Sequence, residues 1–141
     1  MDWLSYVFQI NWVAVLLAFL ASMAIGFVWY LPGVLGRRWM EAVGKTEEEL
    51  RNSEGGTTIW GPMMGAAALT AILLAILISK LGLDTALAGG WFAFVLALVF
   101  RVGGHLIHNG FAGRPAALTL IDSGHDVLAM TAAGAIIGAM S

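Results

Sequence analysis

The chain contains no cysteine, so disulfides, thiolate metal sites and cysteine nucleophiles are all excluded. It is nearly as poor in charge. Seven Lys and Arg and nine Asp and Glu make up 11% of 141 residues, against 60% hydrophobic residues. Ordinary globular domains carry roughly a quarter charged residues, and so few cannot clothe a water-soluble fold of this length. The surrounding solvent must be mostly lipid. A net charge of −2 supplies no basic field for nucleic acid. Missing too are a phosphate-binding Gly-Lys-Ser/Thr loop, a Gly-x-Ser-x-Gly elbow and a zincin motif. No Ser or Thr stands beside a histidine in a catalytic setting, so no catalytic residue is assigned and no enzyme is expected. The N-terminus lacks the positive n-region of a removable signal: its early charge is Asp2, and the uncharged run 3–36 is too long for a signal core.

What the chain has is apolar runs of spanning length. Crossing a hydrocarbon core of about 30 Å takes about 20 helical residues. Four such segments are predicted, at 11–31, 59–79, 86–108 and 115–140. The fold class is therefore all-α: a polytopic membrane protein, one domain over 1–141, its four transmembrane helices in an antiparallel bundle. Trp12 and Trp29 are spaced to sit in the two aromatic belts, with Trp60 and Trp91 near the entries of the second and third spans. Pro32 and Gly33 are expected to end the first helix, Pro62 falls in the first turn of the second, and Pro115 opens the fourth. The polar stretch 37–58 holds Thr46 three residues before Glu49, a capping-box pattern that predicts a short acidic surface helix over 46–51, ended by 52–56.

The cations set an orientation. Arg37, Arg38, Lys45 and Arg51 fall between the first two spans and Arg114 between the last two, while Lys80 lies alone on the other face. The positive-inside rule then puts loops 37–58 and 109–114 in the cytoplasm and both termini outside. Arg37 and Arg38 are placed against anionic headgroups, with Trp39 anchoring beside them.

The motif Gly26-Phe27-Val28-Trp29-Tyr30-Leu31-Pro32, followed by Gly36-Arg37-Arg38-Trp39-Met40, resembles the signature of a bacterial membrane family, domain of unknown function 1761. Gly44-Lys45-Thr46-Glu47-Glu48, Gly110-Phe111 with Gly113-Arg114-Pro115, and the small-residue-rich last helix extend the resemblance over most of the chain. It implies four spanning helices in a bacterial inner membrane and leaves the chemistry open. Where the family favours Asn and then Gly-Tyr or Gly-His at the start of the last helix, this chain has Asp122 and then Gly124-His125-Asp126.

The polar residues within the spans are the candidate site. Arg101, His105 and His108 share one face of the third helix, at i, i+4 and i+7; Asp122, His125 and Asp126 share one face of the fourth. A charge at the bilayer centre costs at least about 2.5–3.5 kcal/mol, so these groups are expected to face one another, with an Arg101–Asp122 ion pair at matching depth and Asp126 near His105 or His125. One reading is structural glue that fixes helix register. Others are a proton or ion relay, a metal site from His105, His108, Asp122 and His125, or axial ligation of a haem or chlorin. No cofactor and no metal is predicted.

Small residues at helical spacing form the last feature: Ala14, Ala18, Ser22 and Gly26 on the first helix, Gly61 and Gly65 on the second, Gly134 and Gly138 on the fourth. They allow close helix packing, within the chain or against a partner, with Gly134 and Gly138 the first choice for a partner contact. The expected partners are the bilayer and other membrane subunits or further copies of the chain. The leading functional expectation is a non-catalytic accessory subunit of a larger membrane complex; the alternative is a small homo-oligomeric transporter or channel with an Asp/His/Arg relay.

Overall fold

The structure is a computed structural model that describes residues 3–52 and 56–141. Asp2 and the part of the expected turn at 53–55 lie outside the described residues. Every element formed by the described residues is helical. Four helices are long and apolar enough to cross a membrane: Trp12–Trp29, Trp60–Leu81, Ala86–Phe111 and Ala116–Ala139.

A short helix α1 (Trp3–Val7) precedes α2 (Trp12–Trp29). Asn11 caps α2, its side-chain oxygen accepting from Val13 N and Ala14 N at 3.1 and 3.2 Å. Its amide also donates to Met140 O at 2.9 Å, which ties the start of α2 to the far end of the last helix. Pro32 does more than end α2. After extended Leu31 it opens a wide π turn, Pro32–Gly36, in which Gly36 N–H reaches Leu31 O at 3.0 Å. A Cβ on Gly36 would collide with the Tyr30 carbonyl. The turn leads straight into α3 (Arg37–Val43), which packs on the last helix, so about a third of the polar stretch expected as loop is helix laid against the bundle. Gly44 ends α3 at φ 75°, the left-handed geometry that glycine adopts without strain.

The surface helix α4 (Glu47–Asn52) forms from its capping box: Thr46 Oγ1 accepts from Glu49 N at 3.2 Å and Glu49 Oε2 accepts from Thr46 N at 2.7 Å. The Thr46 N–H, together with the Thr46 hydroxyl donating to the same Oε2 at 3.0 Å, holds the Glu49 carboxyl below its ordinary value. The second spanning helix, α5 (Gly56–Leu81), starts three residues ahead of its expected start at residue 59, which leaves Pro62 inside the helix and not in its first turn. The third span is α6 (Ala86–Leu96), a π segment Ala97–Val102, and α7 (Gly103–Phe111); α8 (Ala116–Ala139) is the fourth.

Helix α8 packs against α2, α3, α5, α6 and α7. The tightest seam runs between α6 and α8, where Cβ atoms on Gly89 and Gly134 would each strike the other's carbonyl oxygen, and one on Gly138 would strike the Thr85 carbonyl. Of the two uses expected for Gly134 and Gly138, packing within the chain is the one seen; their close side is taken up by Thr85, Gly89 and Ala93 and is not open to a partner. The core is apolar and lies toward the α1 end, built from Ile10, Ala14, Val15 and Ala18 on α2, Ala71, Leu74, Ala75 and Ile78 on α5, Ala93 on α6, and Ala133 and Ile137 on α8. The other half of α5 stands apart, with residues 60–66 all exposed and open space beside Gly61 and Gly65. Large apolar side chains such as Phe27, Leu69, Phe100 and Leu120 cover the outside, a surface suited to hydrocarbon and not to water.

Candidate functional site

The polar groups meet along α8, in two sets on neighbouring faces. The first faces α2 and α3. Asp122 Oδ1 accepts from Tyr30 Oη at 2.8 Å and from Trp39 Nε1 at 3.1 Å. Trp29 Nε1 donates to the Ile121 carbonyl at 3.0 Å, and the Tyr30 ring meets the Trp39 ring edge-on at 5.6 Å. Trp29 and Trp39 are both partly buried here, with their indole N–H groups turned onto the last helix. Trp12, Trp60 and Trp91 are exposed, as an anchor requires. Arg37 and Arg38, on α3, are exposed as well.

The second set centres on Asp126. His105 Nε2 lies 3.2 Å from its Oδ2, His125 Nδ1 lies 3.0 Å from its Oδ1, and Arg101 Nε stands 3.9 Å from Oδ2. An ionised carboxylate only accepts, so each ring nitrogen facing it carries its hydrogen, leaving His105 Nδ1 and His125 Nε2 free to accept. His125 links the two sets, its ring 5.3 Å from that of Tyr30. It reaches this place because Gly26 has no side chain: a Cβ there would stand 3.1 Å from His125 Nε2. Gly124 makes the same concession to Trp29, whose Cζ2 would lie 3.0 Å from an added Cβ.

The expected Arg101–Asp122 pair does not form; Arg101 faces Asp126. The expectation took the third helix to end near residue 108, but it runs on to Phe111. Arg101 thus lies ten residues before the end of its helix and Asp126 ten after the start of α8 at Ala116, each about 15 Å from the connecting turn. His108 is exposed and outside the cluster, because at its depth the facing polar rung is Asn109 Nδ2 donating to Thr119 Oγ1 at 3.0 Å. Arg101 sits in the π segment, a helix irregularity common at functional positions. Its side chain is 44% exposed and that of Asp126 is 21% exposed. One terminal nitrogen of Arg101 stands 3.4 Å from Thr70 Oγ1 on α5, so the cluster borders the open half of α5.

Sequence reasoning missed Tyr30, Thr70, Asn109, Thr119 and Ser123. Tyr30 belongs to the Trp-Tyr-x-Pro motif that carries the family resemblance, and that motif was the available signal. Among the described residues no group of three His, Cys, Asp or Glu is placed to hold a metal ion, and the metal set His105, His108, Asp122 and His125 is not brought together.

Residues 13–138 match the family described as Protein of unknown function (DUF1761), and the chain belongs to that family. No curated protein and no solved structure matches it.

Proposed function

We propose that this member of the DUF1761 family is a small transport protein that moves protons through an intramembrane relay centred on Asp126. One observation carries the reading: a single carboxylate, about 15 Å into its helix, is shared by His105 and His125 with Arg101 beside it. A proton taken up at His105 Nδ1 is matched by one passed from Nε2 to Asp126, which becomes the neutral acid while Arg101 keeps its charge. The carboxylate then alternates between paired anion and neutral acid, as an intramembrane proton carrier must. Four spans are few for a path of their own, and the open half of α5 is where a second copy would complete one. By the positive-inside rule loops 37–58 and 109–114 face the cytoplasm of a bacterial inner membrane; a reporter found cytoplasmic when fused to either terminus would reverse that.

The test is proton flux into proteoliposomes under an imposed pH gradient. Wild-type protein is expected to conduct, and Asp126→Asn, which keeps the shape and cannot carry the proton, to lose at least tenfold. Inert wild-type protein, or a fully active Asp126→Asn, refutes the relay.

The second reading is a non-catalytic accessory subunit, favoured by the uncovered face at Gly61 and Gly65, where an added Cβ meets nothing within 4 Å. Small exposed residues at that spacing let another helix approach closely. Size in mild detergent separates the two readings: co-purified foreign subunits support the accessory role, and a homo-oligomer or lone monomer counts against it.

A further inference from the structure

The α7–α8 interface is a polar ladder with one rung incomplete. Going from the connecting turn toward mid-membrane, Asn109 bonds Thr119 at 3.0 Å, and farther in His105 and Arg101 face Asp126. Thr119, Ser123 and Asp126 are spaced i, i+4 and i+7, so they share one face of α8. Ser123 is also eleven residues, about three turns, before Gly134, which lies against α6, and this places it on the side facing the third span. The register of the two outer rungs sets Ser123 at the level between Asn109 and His105. Its residue is 7% exposed, and its hydroxyl has no hydrogen-bond partner among the described residues.

A buried hydroxyl left without a partner is destabilising, and a helical serine can usually avoid that by bonding the carbonyl four residues back. Ser22 does so with Ala18 O at 2.9 Å and Thr131 with Val127 O at 2.6 Å. Ser123 does not. Neighbouring groups on the ladder have capacity to spare: His105 Nδ1 points away from Asp126, and the Asn109 side-chain oxygen is not used in the bond to Thr119.

We infer that Ser123 is a water-binding site, and that the bound water joins the Asn109–Thr119 rung to His105 and so to Asp126. A buried water needs two to four polar partners, and Ser123, His105 and Asn109 provide three. The ladder then runs unbroken from the turn at 112–115 to the middle of the bundle, entering from the end that carries α3 and α4. The inference deepens the relay reading by naming its proton entry. The water site itself stands on geometry alone.

The test reads the site without any transport. A structure of the full chain in lipid, at a resolution that shows ordered water, is expected to place one within hydrogen-bond distance of Ser123 Oγ and of His105 or Asn109. Thermal unfolding in lipid nanodiscs is expected to show a lower midpoint for Ser123→Ala, because the variant loses the water's anchor. A Ser123 hydroxyl turned onto the Thr119 carbonyl with no water beside it overturns the site, and so does a Ser123→Ala variant more stable than wild type, since that marks a dry, orphaned hydroxyl. If the water is present while wild-type vesicles carry no protons, the relay fails and the site stands. If the relay runs and the water is absent, entry lies elsewhere.

Discussion

A single methyl group at Gly134 is expected to destabilise the bundle by about 2 kcal/mol. The added Cβ would overlap both the Ala93 methyl and the Gly89 carbonyl oxygen. Neither can swing away, since one is backbone and the other is fixed to it. Carbon–oxygen contacts settle at about 3.3–3.6 Å, so α6 and α8 must separate by roughly 1 Å. A gap of that size forfeits a quarter to a half of the dispersion well of each pair across the seam, and overpacking of this kind costs about 1–3 kcal/mol. Against it stands a gain of about 0.5–1 kcal/mol from replacing glycine by alanine inside a helix. In lipid, helix association draws on close packing more than on the hydrophobic effect, which puts the balance well on the unfavourable side. The assay is reversible unfolding in mixed micelles, with Gly65→Ala as the control. An added Cβ at Gly65 meets nothing, so that variant is expected to be neutral or slightly stabilised. Ala93→Gly in the Gly134→Ala background should recover part of the loss. A Gly134→Ala protein as stable as wild type, or a Gly65→Ala protein damaged more than it, would refute the assignment of this seam to the chain's own interior.

Tyr30→Phe and Trp39→Phe each remove one donor to Asp122; each is expected to cost about 1–3 kcal/mol, and a double variant that departs from the sum in the same unfolding assay would show the shared acceptor. Gly26→Ala should push on His125 Nε2, 3.1 Å from the new methyl, and shift the His125 ring resonances, while Gly33→Ala, with open space around it, should leave them unmoved. The Glu49 carboxyl is held down by the Thr46 N–H and hydroxyl, so its folded value lies below its unfolded one. The cap therefore stabilises α4 above the unfolded value and is lost as pH falls through the folded one. A pH titration of the Thr46 amide shift should have its midpoint below the ordinary glutamate value, and a midpoint at or above it would refute the capping box.

The spans were legible because their signal is thermodynamic and redundant: twenty apolar residues in a row have few other solutions, and Pro32 and Pro115 mark the end of the first and the start of the last. The capping box at Thr46 and Glu49 was legible for the same reason, since the motif is local and closes within one turn. The segment Pro32–Val43 was not. Two arginines and a tryptophan after a proline read as a solvated loop, and only contact with α8, supplied by residues eighty or more positions away, makes it a helix. Pro32 illustrates the ambiguity directly: proline stops one helix and starts the next with equal ease.

The site shows where local reading stops. That Arg101 and the acids of α8 must meet follows from the cost of a lone charge in hydrocarbon, and the residue types alone imply it. Which acid Arg101 meets depends on where each helix ends, and three extra residues on α7 move the partner by a turn, from Asp122 to Asp126. Asp122 then needs donors from elsewhere, and they come from Tyr30 and Trp39, two aromatics whose composition suggests lipid headgroups and whose polar edges turn inward. The two acids are thereby separated in place and in the kind of group that surrounds each. Asp122 is bound by neutral donors that hold α2 and α3 to α8, a register lock. Of the three groups beside Asp126, His105 and His125 can themselves exchange protons and Arg101 cannot. A chain needing only a structural ion pair would have no use for both histidines on one carboxylate, and that surplus of exchangeable protons argues for the relay over the glue.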